Sequence, residues 1–207
     1  MTATPVRLPM FPLEGVVFPY GGVPLQVFEP RYLELVDRVT RDGSGFGTVM
    51  IERGSEVGGG DVRSRVGTLL EIVASRPIEG GRRAVVAAGT QRIRVVEWLL
   101  DDPHPWALVE SMDDPPEDIA DLREGMAAGL GRLRALASEL GLDTGDFEVE
   151  VDDDPVVASY RFAAMVPVTP LDSYRLLIAT GPRERVERAV VMMDEQADVI
   201  RATLGGA

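Results

Sequence analysis

The chain has 207 residues, 45% of them apolar, and a formal net charge of −13, which suits one large domain or two small ones with a proper core. All 21 basic residues are arginine, which excludes, for this chain by itself, a phosphate loop with its lysine, a Ser-Lys dyad and Schiff-base chemistry. Cysteine is absent, which excludes thiolate catalysis and disulfides and fits the reducing cytoplasm, the expected location.

Prolines at 5, 9, 12 and 19 interrupt the start, so no secretory signal is expected there. No apolar run approaches the roughly 20 residues of a membrane span, and a soluble protein is expected. Pro24-Leu25-Gln26-Val27-Phe28 is the first strand candidate. Glu29-Pro30 then opens a helix, because proline is tolerated in a first turn and a carboxylate favours the positive end of the helix dipole. Tyr32, Leu33, Val36 and Val39 form its apolar stripe, and Gly43 and Gly45 end it. Phe46 to Glu52 reads as a strand. Gly54 to Asp61, with Gly58-Gly59-Gly60, reads as a mobile loop. Arg65 to Arg76 is a long strand, turned by Gly80-Gly81 into Arg82 to Ala88. Gln91 to Leu100 is read as a separate strand, and Trp106 to Met112 closes the sheet.

The composition changes at Asp113-Asp114-Pro115-Pro116. Residues 1–112 carry 12 Arg against 14 Asp and Glu, whereas residues 113–207 carry 9 against 20. The second part has helical periods. Ile119, Leu122, Met126, Leu130, Leu133, Ala137 and Leu140 recur at three- and four-residue steps, and Gly141 stops that helix. An acidic loop, Asp143 to Asp154, follows. Asp154-Pro155 and Thr169-Pro170 are both cap signatures: a side chain that accepts from the first turn, then a proline whose missing N–H costs nothing there. The first of these helices stops at Pro167. After Gly181-Pro182 a last helix carries Val186, Val190, Met193, Ala197, Ile200 and Leu204 on one face.

Candidate chemistry is sparse. His104, the one histidine, lies between Pro103 and Pro105 and reads as a surface turn. With no cysteine, a zinc site is not expected. The acidic run Glu148 to Asp154 lacks the spacing of an EF-hand loop and reads as a solvated loop with a helix cap. No cofactor is expected. The aromatics Phe11, Phe18 and Tyr20 stand in a stretch broken by Pro9, Pro12 and Pro19. Proline limits sheet pairing, so this stretch is read either as an edge to which an extended peptide adds or as a cover for the core. On the first reading Phe18 and Tyr20 are the polypeptide-binding residues.

The motifs of the first part resemble the Lon protease N-terminal domain family. Leu8-Pro9-Met10-Phe11-Pro12-Leu13 looks like its opening, and Val17-Phe18-Pro19 follows. Pro24-Leu25-Gln26-Val27-Phe28-Glu29-Pro30-Arg31-Tyr32 resembles its most distinctive stretch. Gly45-Phe46-Gly47, Val66-Gly67-Thr68 with Ile72, and Gly89-Thr90-Gln91-Arg92-Ile93 come in family order, as do Ser159-Tyr160-Arg161 and Met165-Val166-Pro167.

The resemblance implies an α+β fold: a PUA-like, β-rich subdomain with one helix over residues 1–112, then a helical bundle over residues 113–207. It also implies a stand-alone binding module, without the ATPase and Ser-Lys peptidase that lie downstream in Lon. Its expected partner is a polypeptide segment, or a protease on which it docks as an adaptor in protein quality control. Arg31 and Tyr32 match the family motif with an expected structural role. The alternative is a PUA-like module for RNA or a small ligand, supported by Arg82, Arg83, Arg92 and Arg94 and opposed by the acidic net charge. The sequence leaves the oligomeric state open.

Overall fold

The structure, a computed structural model, describes residues 4–53, 62–139 and 152–205. The glycine-rich run 54–61, the Gly141 stop and most of the acidic loop 143–154 lie outside the described residues. The chain divides into two compact units between Asp113 and Asp114.

Among the described residues the first unit contains six strands and one long helix. They are β1 (Val6–Pro9), β2 (Gly22–Val27), α1 (Pro30–Asp42), β3 (Phe46–Arg53), β4 (Val62–Ile78), β5 (Arg82–Trp98) and β6 (Trp106–Ser111). The strand order is β1-β6-β5-β4-β3, with β2 also paired to β5. The two ends of that order are joined. Beyond β1, the Phe11 and Leu13 amides donate to the Gly47 and Val49 carbonyls at 2.8 and 3.0 Å, and Ile51 donates back to Leu13 at 2.8 Å. The sheet therefore closes on itself, which removes the open edge that β3 would otherwise present.

Closure forces main chains together, and glycines mark where. A Cβ on Gly67 would lie 1.9 Å from the Thr48 carbonyl oxygen, and one on Gly89 would lie 2.3 Å from that of Phe18. Gly89 was expected to separate two strands. Instead β5 runs through it as one 17-residue strand. Before Gly89 the strand pairs with β2, and after it with β6. A shift of register on β4 between Leu69 and Leu70 accompanies the change, as expected where a bulge bends a strand.

Helix α1 covers the sheet. Pro30 starts it, and Gly43 ends it in the left-handed region at φ 64°. Its Tyr32, Leu35, Val36 and Val39 pack into a core with Phe11, Leu13, Val17, Val27, Phe46, Leu70 and Val85. Tyr32 stacks on Phe11 with ring centroids 4.0 Å apart. Arg31 lies over the Tyr32 ring at 4.5 Å and bonds Glu29 at 3.0 Å. The motif Glu29-Pro30-Arg31-Tyr32 thus anchors the start of α1. A second core behind it contains Met10, Val49, Ile93, Val95, Ala107 and Val109.

The second unit contains α2 (Arg123–Glu139), α3 (Pro155–Met165), α4 (Pro170–Leu177) and α5 (Pro182–Gly205). A 3-10 turn at Ala120–Leu122 precedes α2, so the first helical period starts later than Ile119. Both cap signatures form. Asp154 accepts from Val156 and Val157, and Thr169 accepts from Asp172. The buried face of α5 is Arg185, Val186, Ala189, Met193 and Ala197. Arg185 is a surprise on an otherwise apolar stripe. It ion-pairs with Asp114 at 2.6 Å and donates to Ser159 Oγ at 2.7 Å.

Candidate functional site

The proline-broken stretch between β1 and β2 forms a strap across the first unit. Its prolines keep it out of the ladder, yet it is held at several points. Besides the bonds from Phe11 and Leu13, Thr68 Oγ1 donates to the Val17 carbonyl at 2.5 Å. Tyr20 donates to the Gly89 carbonyl at 2.8 Å, and Gly21 donates to the Phe18 carbonyl at 3.1 Å in a tight turn. The strap is therefore not a free edge, because these amides are already bonded within the unit.

Its aromatics separate. Phe11 joins the core, and Phe18 is only 6% exposed. Tyr20 is 46% exposed and has φ of 63°, a conformation that costs a non-glycine residue roughly 1 kcal/mol. The bond from its amide to Gly89 holds it there. Of the two expected binding residues, Tyr20 is thus nearly half exposed, whereas Phe18 is largely covered.

Between the strap and β2 lies a cleft of about 350 Å³, at the small end of pockets that accept ligand side chains. Phe11, Leu13, Val16, Val17, Val23 and Leu25 line it, and Pro24 and Gln26 lie at its margin. β2 pairs with β5 on one side, and among the described residues no strand pairs with its other edge. Proline has no N–H, so Pro24 must sit at a position facing away from β5. The alternate residues Gly22 and Gln26 then face away too, with amides and carbonyls on the open edge. Val23 and Leu25, which have the opposite parity, pack towards the core. The sequence pointed to the strap but not to this side of β2, because periodicity does not tell which strand ends at an edge.

The other sequence candidates resolve individually. His104 was expected in a surface turn, but it is fully buried. Its ring meets Trp106 at 4.8 Å, and its Nδ1 lies 3.1 Å from the Pro105 carbonyl. Burial lowers its pKa; the Pro105 bond opposes that shift and Arg38 adds to it. Arg7 and Arg38 lie over the Trp106 ring at 4.1 and 5.3 Å and help to cover it.

The four arginines of the alternative reading do not form one basic groove. Arg83 pairs with Asp37 at 2.7 Å, and Arg94 donates to Glu110 at 2.7 Å. Arg92 is buried, with Nε donating to the Met112 carbonyl at 3.3 Å. Strand alternation puts Arg82 and Arg83 on opposite faces. Among the described residues no group of three or more His, Asp or Glu side chains is placed to hold a metal ion. No helix there is long and apolar enough to cross a membrane.

A closed β sheet capped by one helix, continued by a helical unit, is the architecture of Lon N-terminal domains. The chain matches the crystal structure of a Lon N-terminal domain protein from Xanthomonas campestris with a TM-score of 0.70 and 26% identity, covering 90% of this chain and 98% of that one. It shares the fold of the N-terminal domain of Mycobacterium avium complex Lon protease, with a TM-score of 0.68 and 16% identity over 91% and 98% of the two chains. The family model described as the ATP-dependent protease La (LON) substrate-binding domain matches residues 7–195, and the chain belongs to that family. Lon protease 2 of Herpetosiphon aurantiacus is 24% identical over 96% of this chain, which spans 25% of that relative's length. A LON peptidase N-terminal domain and RING finger protein of Schizosaccharomyces pombe is 21% identical over 91% of this chain, which spans 45% of that protein.

Proposed function

We propose that this chain is a non-catalytic module that binds extended, apolar segments of other polypeptides in the cleft between the strap and β2. The observation that carries this reading is the pairing of an apolar cleft with an open strand edge. A client side chain would rest on Val16, Val23 and Leu25, while its main chain bonds the outward groups of Gly22 and Gln26. Pro24 interrupts the row of donors, which limits the contact to a short segment and guards the edge against indiscriminate strand addition. Tyr20 adds an exposed ring at the end of the strap, where β2 begins. The substrate-binding description of the family supports a polypeptide as the ligand. The reading is non-catalytic because the chain has no lysine with which to build a phosphate loop or a Ser-Lys dyad. Presenting clients to a separate protease, as an adaptor, is the role we assign to it.

The test is fluorescence anisotropy with a labelled, permanently unfolded polypeptide rich in apolar residues. Val16→Glu and Leu25→Glu place a charge at half-buried positions of the cleft and should weaken binding about tenfold or more. Tight binding that neither variant changes would remove the cleft from consideration.

A further inference from the structure

The surroundings of Trp106 support an inference that uses none of the cleft residues. The Trp106 ring is fixed by its Nε1, which donates to the Asp102 carbonyl at 3.2 Å. Register sets Trp106 of β6 opposite Pro9 of β1, and strand alternation puts Arg7 on the same face as Pro9. Arg7 lies over the ring at 4.1 Å, and Arg38 reaches it from α1 at 5.3 Å. Two positive charges thus gather at one ring in a chain of net charge −13. Glu34 approaches Arg38 only to 3.8 Å and is more than half exposed. Among the described residues no acid pairs with Arg7. A guanidinium that lies over a ring keeps its N–H donors for other acceptors. His104 belongs to the same cluster, with its ring 4.8 Å from that of Trp106. Arg38 Nε and His104 Nε2 are both buried, and neither has a hydrogen-bond partner among the described residues.

We propose that the cluster of Arg7, Arg38 and His104 around Trp106 binds inorganic phosphate. Like charges held this close repel each other, and an anion removes that repulsion while accepting their N–H groups in charge-assisted bonds. His104 selects among the oxyanions. Its Nδ1 lies 3.1 Å from the Pro105 carbonyl, which can only accept, so Nδ1 carries the proton. In the neutral ring Nε2 is then an acceptor. A ligand that satisfies the whole cluster offers anionic oxygens to the guanidiniums and a hydroxyl to Nε2. Inorganic phosphate keeps a hydroxyl near neutral pH even after its second proton has left. Sulfate, a carboxylate and the dianion of a phosphomonoester have none. A long polyanion is disfavoured by the acidity of the chain as a whole. Bound phosphate would tie α1, through Arg38, to β1, through Arg7, and would stabilise the first unit.

The test is a titration of the full chain with inorganic phosphate at neutral pH, with ionic strength held constant by sodium chloride. Intrinsic fluorescence reports on the site, because Trp106 is one of two tryptophans. The expected result is a saturable change, together with a melting temperature that rises with phosphate. Arg7→Gln and Arg38→Gln should each weaken binding about tenfold and abolish the melting shift. Glu34→Gln removes an exposed competitor for Arg38 and should tighten binding, a gain that a purely structural role for these side chains would not produce. Sulfate and O-phosphoserine should bind several-fold more weakly than phosphate. No saturable change in the wild type, or the same affinity in both arginine variants, would overturn the site. Sulfate or O-phosphoserine binding as tightly as phosphate would overturn the choice of ligand.

Discussion

The guanidinium of Arg185 and the carboxylate of Asp114 meet at 2.6 Å with both side chains removed from solvent. Each is held by more than the other. Arg185 donates to Ser159 Oγ at 2.7 Å and from Nε to the Leu176 carbonyl at 3.3 Å, and it lies over the Tyr160 ring at 3.5 Å. The Tyr160 hydroxyl donates to the other Asp114 oxygen at 2.7 Å. One ion pair therefore ties the first residue of the helical unit to α3, α4 and α5. This arrangement explains why serine and tyrosine stand together at 159 and 160.

Asp114→Ala leaves the Arg185 charge buried with its main partner gone. Removing one member of a buried pair typically costs about 3–5 kcal/mol. Chemical denaturation should show a loss of that order. Tyr160→Phe, which removes one hydroxyl, should cost about 1–2 kcal/mol. An Asp114→Ala protein within 1 kcal/mol of wild type, judged against roughly that threshold, would show that the clasp contributes little.

Closure of the sheet should be intolerant of any side chain at Gly67. The built Cβ falls 1.9 Å from the Thr48 carbonyl oxygen, which is backbone and cannot swing away. Gly67→Ala should lower stability by about 3 kcal/mol or more, at the upper end of overpacking costs. Gly15→Ala, with nothing within 4 Å of the new methyl, is the control and should melt with wild type. Equal melting temperatures for the two variants would contradict the closed register.

The buried His104 gives stability a defined pH dependence. Its pKa in the folded chain is below the ordinary value of 6.5, chiefly because burial disfavours the charged ring. The unfolded chain thus takes up a proton near pH 6.5 while the folded chain resists it. The His104 contribution is complete above that pH and declines as pH falls from about 6.5 towards the lower folded value. Because the sequence has one histidine, His104→Gln should flatten the stability profile between about pH 5 and 7. A slope in that window that survives the substitution would locate the titration elsewhere.

Phe18 and Tyr20 should behave differently on truncation. Phe18→Ala removes a covered ring and should cost about 3–5 kcal/mol of stability. Tyr20→Ala removes an exposed one; it should barely change the melting temperature while costing about 1–2 kcal/mol of client binding. A thermal melt and the anisotropy assay separate the two effects. A large melting loss for Tyr20→Ala would place it with the core instead.

Purified protein should hydrolyse neither ATP nor peptide bonds. The absence of lysine motivates this. Turnover that co-purifies with the chain through successive columns would refute it.

Local chemistry alone determined a good part of this protein. Pro30 after Glu29, Gly43, Asp154-Pro155 and Thr169-Pro170 mark helix ends through interactions within one turn, so they can be read without knowing what packs nearby. The alternation in β4 and β5 and the ordered motifs likewise marked an α+β fold of the Lon N-terminal kind. Contacts between residues far apart in sequence were left to the tertiary structure. Gly89 looks like a break until β2 and β6 are seen on either side of it. Arg185 sits on an apolar stripe and becomes intelligible only when Asp114, 71 residues away, is brought to it. His104 lies between two prolines and reads as exposed until Trp106 packs against it. The open side of β2 emerges only when all the pairings are known. Periodicity reports how a residue relates to its own helix or strand, whereas burial, charge pairing and free edges depend on which elements meet, and long-range packing decides that.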